Sequence, residues 1–247
     1  MPTFVVEIIF FDRRLTSYMS ALKNGCDLSL CFLCRNSLPG WQALAGANRK
    51  NLRFKKGAVI FDEGEDIKGM YFVYSGIVKV QRSWGNQKQL ILRFAKPGDI
   101  LGYRGLGDEK KYTISATAIE PVTVCYVDLN FFESMLLINH PLTYQLMQYY
   151  TNELQYAEKK MSNLVHLSVK ARVAETLLTL NNQFGKSKEG NINVHLSRQD
   201  IAAFTGTTYE TLFRTMQEYI RAKLIRVSGK KIFLLKEKRL AELAMMH

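Results

Sequence analysis

Between residues 51 and 128, apolar and polar positions alternate in short runs (53–57, 59–61, 70–74, 77–80 and 89–93), with Gly57, Gly64, Ser75-Gly76 and Pro97-Gly98 standing between them. Strands at such regular spacing predict an antiparallel barrel or roll. From 129 to 167 the period changes to that of a helix. Met147, Tyr150, Leu154, Ala157, Met161 and Leu164 recur at alternating spacings of three and four, a heptad seam. A seam of this kind serves either pairing with a second copy or packing of one helix on its own roll. Trp84-Gly85-Asn86 reads as a hairpin tip, and His140-Pro141 as the cap of the long helix.

The pattern changes again after residue 168. Ser197 followed by Asp200, and Thr207 followed by Glu210, are two capping-box signals about ten residues apart. Gly206 between them can take the positive φ of a sharp interhelical turn. Ile201, Ala202, Phe204, Leu212, Met216 and Ile220 supply apolar faces, so the pair predicts a helix-turn-helix. Tyr209, Glu210, Phe213, Arg214 and Gln217 fall on the opposite face of the second helix. Arg donates two parallel bonds to guanine O6 and N7 and Glu accepts from cytosine N4, so Glu210 and Arg214 can read neighbouring base pairs in a major groove. The ordinary alternative is an i,i+4 ion pair on a solvated helix. Residues 223–235 hold two β-rich runs around Ser228-Gly229, a two-stranded wing. Lys230 and Lys231 at its tip, with Arg221 and Arg226 nearby, suit phosphates, and Ser197 and Arg198 complete the candidate DNA-contacting set. Because helix-turn-helix proteins bind palindromes as two-fold dimers, the seam is read as self-pairing.

Composition adjusts this picture in two ways. With 247 residues two domains fit better than one, and a net charge of +12 favours a polyanionic partner. No apolar run reaches the roughly 18 residues of a membrane span. The apolar stretch 4–11 contains Glu7 and lacks basic residues before it and a small-residue cleavage site after it, so no export and no membrane attachment are expected. The four cysteines, Cys26, Cys31, Cys34 and Cys125, therefore belong to a reducing compartment, where metal or redox chemistry is a better question than structural disulfides. His140, His166, His195 and His247 show no paired ligand spacing, and no nucleophile motif, Walker loop or carboxylate pair stands out, so no enzyme is expected.

The expected fold is α+β. An N-terminal helical, cysteine-containing segment (1–50) precedes an antiparallel β-roll sensor (51–128), a long dimerisation helix (129–167) and a winged helix-turn-helix (168–247). That order, together with Lys56-Gly57, Gly64-Glu65-Asp66, Tyr74-Ser75-Gly76-Ile77-Val78-Lys79, Pro97-Gly98-Asp99-Ile100-Leu101-Gly102 and the Leu196 to Ala202 segment, resembles the CRP/FNR superfamily of bacterial transcription regulators over roughly residues 50 to 240. The resemblance implies a cytoplasmic homodimer that binds double-stranded DNA and works with RNA polymerase, at half-sites containing a G·A step. Its competitor is a small-ligand or cyclic-nucleotide module acting through protein contacts.

Two departures concern the signal. In the cyclic-AMP branch a Glu after Pro-Gly-Asp holds the ribose and a later Arg holds the phosphate. Here the effector positions read Gly102, Tyr103, Arg104, Tyr112 and Thr113, with Tyr103 in place of the Glu and Tyr112 in place of the Arg, which disfavours cyclic AMP. The FNR branch ligates a [4Fe-4S] cluster through N-terminal cysteines and a distant fourth, which implies Cys26, Cys31, Cys34 and Cys125 here. The gaps run four then two, not the two then five of FNR, and a zinc site of the same four thiolates or no metal at all stays open.

Overall fold

The structure, a computed structural model, describes residues 29–84 and 88–245. Helices α1 (Phe32–Asn36) and α2 (Pro39–Asn48) lead into strands β1 (Arg49–Phe54), β2 (Val59–Phe61), β3 (Gly69–Ser75), β4 (Val78–Trp84), β5 (Lys88–Ala95), β6 (Ile100–Leu101), β7 (Ser115–Ala118) and β8 (Val122–Asp128). They form two antiparallel sheets, in the orders β1-β8-β3-β6 and β2-β7-β4-β5. Alternation along each strand turns one face inward. Phe61, Phe72, Val80, Ile100, Ala116 and Val124 are buried in the core of this roll. The β4–β5 ladder runs from Val78↔Ala95 to Trp84↔Lys88, and its tip, 85–87, lies outside the described residues.

The stretch expected as one helix is two, α3 (Leu129–Ile138) and α4 (His140–His166). Pro141 has no N–H to continue the ladder of α3, which suits it only to the first turn of a new helix. The cap of α4 is Asn139, not His140-Pro141: its side chain accepts from the Leu142 N–H at 3.4 Å. The C-terminal half comprises α5 (Val169–Phe184), α6 (Arg198–Thr205), α7 (Tyr209–Arg221), β9 (Ile225–Ser228), β10 (Lys231–Leu234) and α8 (Glu237–Ala244). Its core holds Val173, Leu177, Ile201, Leu212, Met216 and Ile232, and α8, which no sequence signal foretold, closes it with the buried Leu240.

That core runs on into the roll through Ile77, Ile91 and Phe94, so roll and helix-turn-helix are packed together. The Phe94 and Phe204 rings meet edge to face at 5.1 Å, and Lys79 Nζ pairs with Asp200 at 2.9 Å. Lys160 on α4 donates to the carbonyls of Ile91 (2.8 Å) and Leu92 (3.2 Å) and lies 3.9 Å from the Phe204 ring centroid. Burial draws its pKa down to about 7, against the pull of Glu175. At the turn between α6 and α7, Gly206 has φ 73°, and a Cβ there would stand 2.5 Å from Leu164 Cδ2 on α4. The turn is thus seated on the end of the long helix.

Candidate nucleic-acid interface

Helix α6 begins as its sequence predicts. Ser197 Oγ accepts from the Asp200 N–H at 3.0 Å and donates to Asp200 Oδ2 at 2.6 Å. The cap of α7 falls one residue later than expected, on Thr208, whose Oγ1 accepts from the Thr211 N–H at 3.2 Å. Thr207 instead donates its N–H to the Ala202 carbonyl and closes the turn. The buried face of α7 is Leu212, Thr215, Met216 and Tyr219, with Ile220 half-buried. On the other face Tyr209, Glu210, Phe213 and Arg214 are exposed and Gln217 is half-buried, and the Tyr209 and Phe213 rings stack at 6.3 Å. Among the described residues Glu210 and Arg214 do not pair with each other or with a third group. The solvated ion pair, the ordinary alternative, is not formed, and both side chains face outward with their hydrogen-bonding capacity unspent.

The wing is a two-residue hairpin with Ser228 paired to Lys231, and Gly229 supplies the positive φ of 58° at the first loop position. Its basic residues differ in availability. Lys230 is exposed at the tip, and Arg221 is exposed at the end of α7. Lys231 Nζ is held by Glu189 at 2.6 and 2.8 Å, Arg226 lies 3.6 Å over the Phe233 ring, and Arg198 donates to the Gly229 carbonyl at 2.9 Å. Arg198 therefore braces the wing against α6, and Ser197 is engaged in its cap. Lys230→Ala should flatten the slope of log affinity against log salt by about one unit per subunit, as the loss of one phosphate contact from each half of the dimer does. Lys231→Ala should flatten it less, because Glu189 already neutralises that charge; equal slopes for the two variants would contradict the difference.

The effector position is closed. The cavity bounded by Phe61, Val80, Arg93, Tyr103, Tyr112 and Ile114 amounts to about 10 Å³, whereas small-molecule pockets run to roughly 300–1,000 Å³. Tyr112 is buried, stacked on Phe61 at 4.1 Å, and its hydroxyl donates to the Gly69 carbonyl at 3.0 Å. Gly102 is buried beneath it and Thr113 faces outward. Arg104 turns to Glu153 on α4, at 2.9 Å. Burial pushes the Glu153 carboxyl up, but Arg93, Tyr103 and Arg104 outweigh it and hold it below the ordinary carboxylate range. The stability it brings is present above that range and is lost as pH falls through the depressed value.

Two of the thiols line a separate cavity. Cys31 precedes α1, Cys34 is on α1 and Cys125 is on β8, and all three are buried. Cys31 and Cys125 share the wall of a cavity of about 210 Å³ with Phe72, Tyr74 and Pro97. Cys125 Sγ donates to Asn51 Oδ1 at 3.3 Å. Cys26 lies outside the described residues. A [4Fe-4S] cluster needs four thiolates, and among the described residues no three of His, Cys, Asp and Glu gather as a metal ion requires. The described residues do not make up the cage. They bring two thiols to one cavity.

Along α4, Met147, Leu154 and Met161 are 56 %, 60 % and 65 % exposed, and Tyr150 and Ala157 are exposed with them, an apolar stripe without cover in the single chain. Leu164 is half-buried against the helix-turn-helix turn, and the Tyr150 hydroxyl donates to the Tyr103 carbonyl. No described helix is long and apolar enough to cross a membrane.

A β-roll joined through a long helix to a winged helix-turn-helix with an open recognition face defines a DNA-binding regulator. Residues 51–139 match the cyclic nucleotide-binding domain and residues 171–243 the Crp-like helix-turn-helix domain. Among similar proteins, the transcriptional activatory protein AadR of Rhodopseudomonas palustris is 30% identical over 202 residues, covering 79% of this chain and 81% of that protein. The CRP-like cAMP-activated global transcriptional regulator of Mycobacterium tuberculosis is 28% identical over 193 residues, 77% of this chain and 86% of its own. The structure of FixK2 from Bradyrhizobium japonicum superposes with a TM-score of 0.72 at 26% identity, covering 81% of this chain and 98% of that one. The chain belongs to the CRP/FNR superfamily of transcription regulators.

Proposed function

We propose that this regulator binds double-stranded DNA as a homodimer, reading bases with Glu210 and Arg214 of α7, and takes its signal through thiols rather than through a cyclic nucleotide. The observation that carries the DNA assignment is the outward, unpaired face of α7 beside a basic wing tip. The stripe on α4 supports pairing with a second copy, and a cytoplasmic location and contact with RNA polymerase follow from the same reading. No catalytic step is assigned to it. The cyclic AMP named for the Mycobacterium tuberculosis relative does not transfer, since the pocket that would take it is filled by Tyr103 and Tyr112.

The thiol reading rests on the cavity shared by Cys31 and Cys125 and on a short route from it to α4. Phe32, next to Cys31, packs edge to face on Tyr149 of α4 at 5.5 Å. A change at the thiols that moves α1 is transmitted to the long helix by that contact. If Cys26 and Cys34 join Cys31 and Cys125 around a [4Fe-4S] cluster, the group supplies oxygen-labile redox chemistry there. Anaerobic protein with metal analysis and a visible spectrum distinguishes the occupants: brown and oxygen-bleached for iron-sulfur, colourless under both atmospheres for zinc. In either case Cys31→Ser and Cys125→Ser are expected to change operator affinity at least about fivefold, a coupling of roughly 1 kcal/mol. Operator binding indifferent to both substitutions would sink the thiol reading.

A further inference from the structure

The residue that closes the effector position also grips the long helix. Tyr103 is 2 % exposed, and its hydroxyl donates to Glu153 Oε2 at 2.6 Å. Its ring meets those of Tyr149 and Tyr150 edge to face at 5.1 and 5.2 Å, and its carbonyl accepts from the Tyr150 hydroxyl. One residue of the roll thus touches three positions of α4, at i, i+1 and i+4. The carboxylate is held from the roll side as well, by Arg104 at 2.9 Å and by Arg93 at 3.6 Å, while Arg93 is itself fixed by the Ile100 carbonyl at 2.7 Å and Asp99 at 3.5 Å. A slip of α4 by one residue would move its side chains about 1.5 Å along the axis and 100° around it, which none of these contacts survives.

We propose that Tyr103 is a built-in occupant of the nucleotide pocket: its phenol fixes the rotation and register of α4 from inside the roll, so that the DNA-competent arrangement of the dimer is set without any bound nucleotide. Tyr103 is in this sense a positioning residue. It touches no DNA. It acts through α4, which carries the exposed stripe Met147, Leu154 and Met161 at one level and seats the Gly206 turn of the helix-turn-helix on Leu164 at the other. At the effector position the roll leaves about 10 Å³, and Tyr103 reaches α4 directly from there; the larger opening between roll and α4, about 220 Å³, runs beside that contact past Leu90, Leu92, Tyr156, Met161 and Leu164. The inference rests on the DNA-reading assignment but not on the thiol reading, which reaches α4 from α1 through Phe32 and meets the Tyr103 contact at Tyr149.

The test uses the full chain and an operator selected from random duplexes, with two readouts, operator affinity and the dimer dissociation constant. Tyr103→Phe keeps the ring and removes the hydroxyl, and Glu153→Gln removes the acceptor charge. Each is expected to lower operator affinity about tenfold or more, the fold-change that corresponds to one hydrogen bond to a charged group, with little change on random DNA. Tyr103→Ala should lose more, and phenol, which has the shape of the deleted group, should restore at least part of its operator binding while leaving the wild type and the Tyr103→Ala/Glu153→Gln double variant unmoved. Cyclic AMP and cyclic GMP should leave wild-type affinity unchanged. If Tyr103→Phe and Glu153→Gln bind operator and dimerise like the wild type, or if a cyclic nucleotide raises wild-type affinity, the proposal is overturned; because both variants keep the packing volume, they decide the matter even where Tyr103→Ala does not fold. Failure of the DNA-reading assignment would show separately, as no enrichment of any sequence by the wild type.

Discussion

Replacement of Leu154 and Met161 by Glu is expected to turn a dimer into a monomer and to bring operator affinity down toward that for random duplex. In the single chain these side chains are 60 % and 65 % exposed on the helix face that also carries Met147, and large apolar side chains in a row on a surface helix mark an interface. Full burial of a Leu or Met contributes about 1.5–3 kcal/mol each. Because these side chains are already partly covered, burying the rest of two per protomer contributes roughly 4–8 kcal/mol across the pair, a large share of the association free energy of a dimer held at micromolar to nanomolar strength. The substitution removes that burial and sets four like charges into one seam. A monomer holds one half-site, and specific operators exceed random DNA by about 10³–10⁷ in affinity, so the loss should span several orders of magnitude. Light scattering with a mass of one chain at micromolar concentration is the expected reading. A double variant that remains a dimer would place the interface elsewhere.

Arg214→Ala should have the next largest effect, and it should be selective. Arg214 is exposed on α7, one turn beyond Glu210, with no partner within the described chain. A bidentate guanine contact is worth about 1–3 kcal/mol of base discrimination, and a two-fold dimer uses it twice, about 2–6 kcal/mol in all. Stability should hardly change, because no contact of the folded chain is lost. The ratio of operator to random-DNA affinity is the measurement that separates base reading from phosphate contact. An unchanged ratio would remove Arg214 from base readout and leave it as one more basic group on a surface that already carries Lys230.

Local signals in the chain anticipated local structure well, and the misses share a cause. The Ser197 cap, the Gly206 turn, the outward face from Tyr209 to Arg214 and the wing around Gly229 each depend on neighbours within a few residues, and each stands where spacing and residue type put it. Thr208 displaced Thr207 as the second cap because adjacent threonines satisfy the same signal and only the turn geometry chooses between them. Pro141 announced a helix start, but that Asn139 would cap it depends on where α3 ends. Contacts between distant segments were illegible. Glu189 lies 42 residues from Lys231, Gly229 lies 31 from Arg198, and Glu153 lies 50 from Tyr103. The resemblance could say that Tyr103 lacks the usual carboxylate. It could not say that the carboxylate comes from α4 instead. The effector positions therefore read as an altered ligand site and fold as an interdomain joint.

The central claim is that this chain reads DNA as a two-fold dimer without needing a nucleotide, and selection of binding sequences from random duplexes by the 247-residue chain tests it most directly. The protein, purified free of nucleotide, should enrich an inverted repeat whose half-sites contain a G·A step and lie about one helical turn apart, with binding that weakens steeply as salt is raised. Enrichment of no sequence at all, or of a sequence only when cyclic AMP is added, would contradict it.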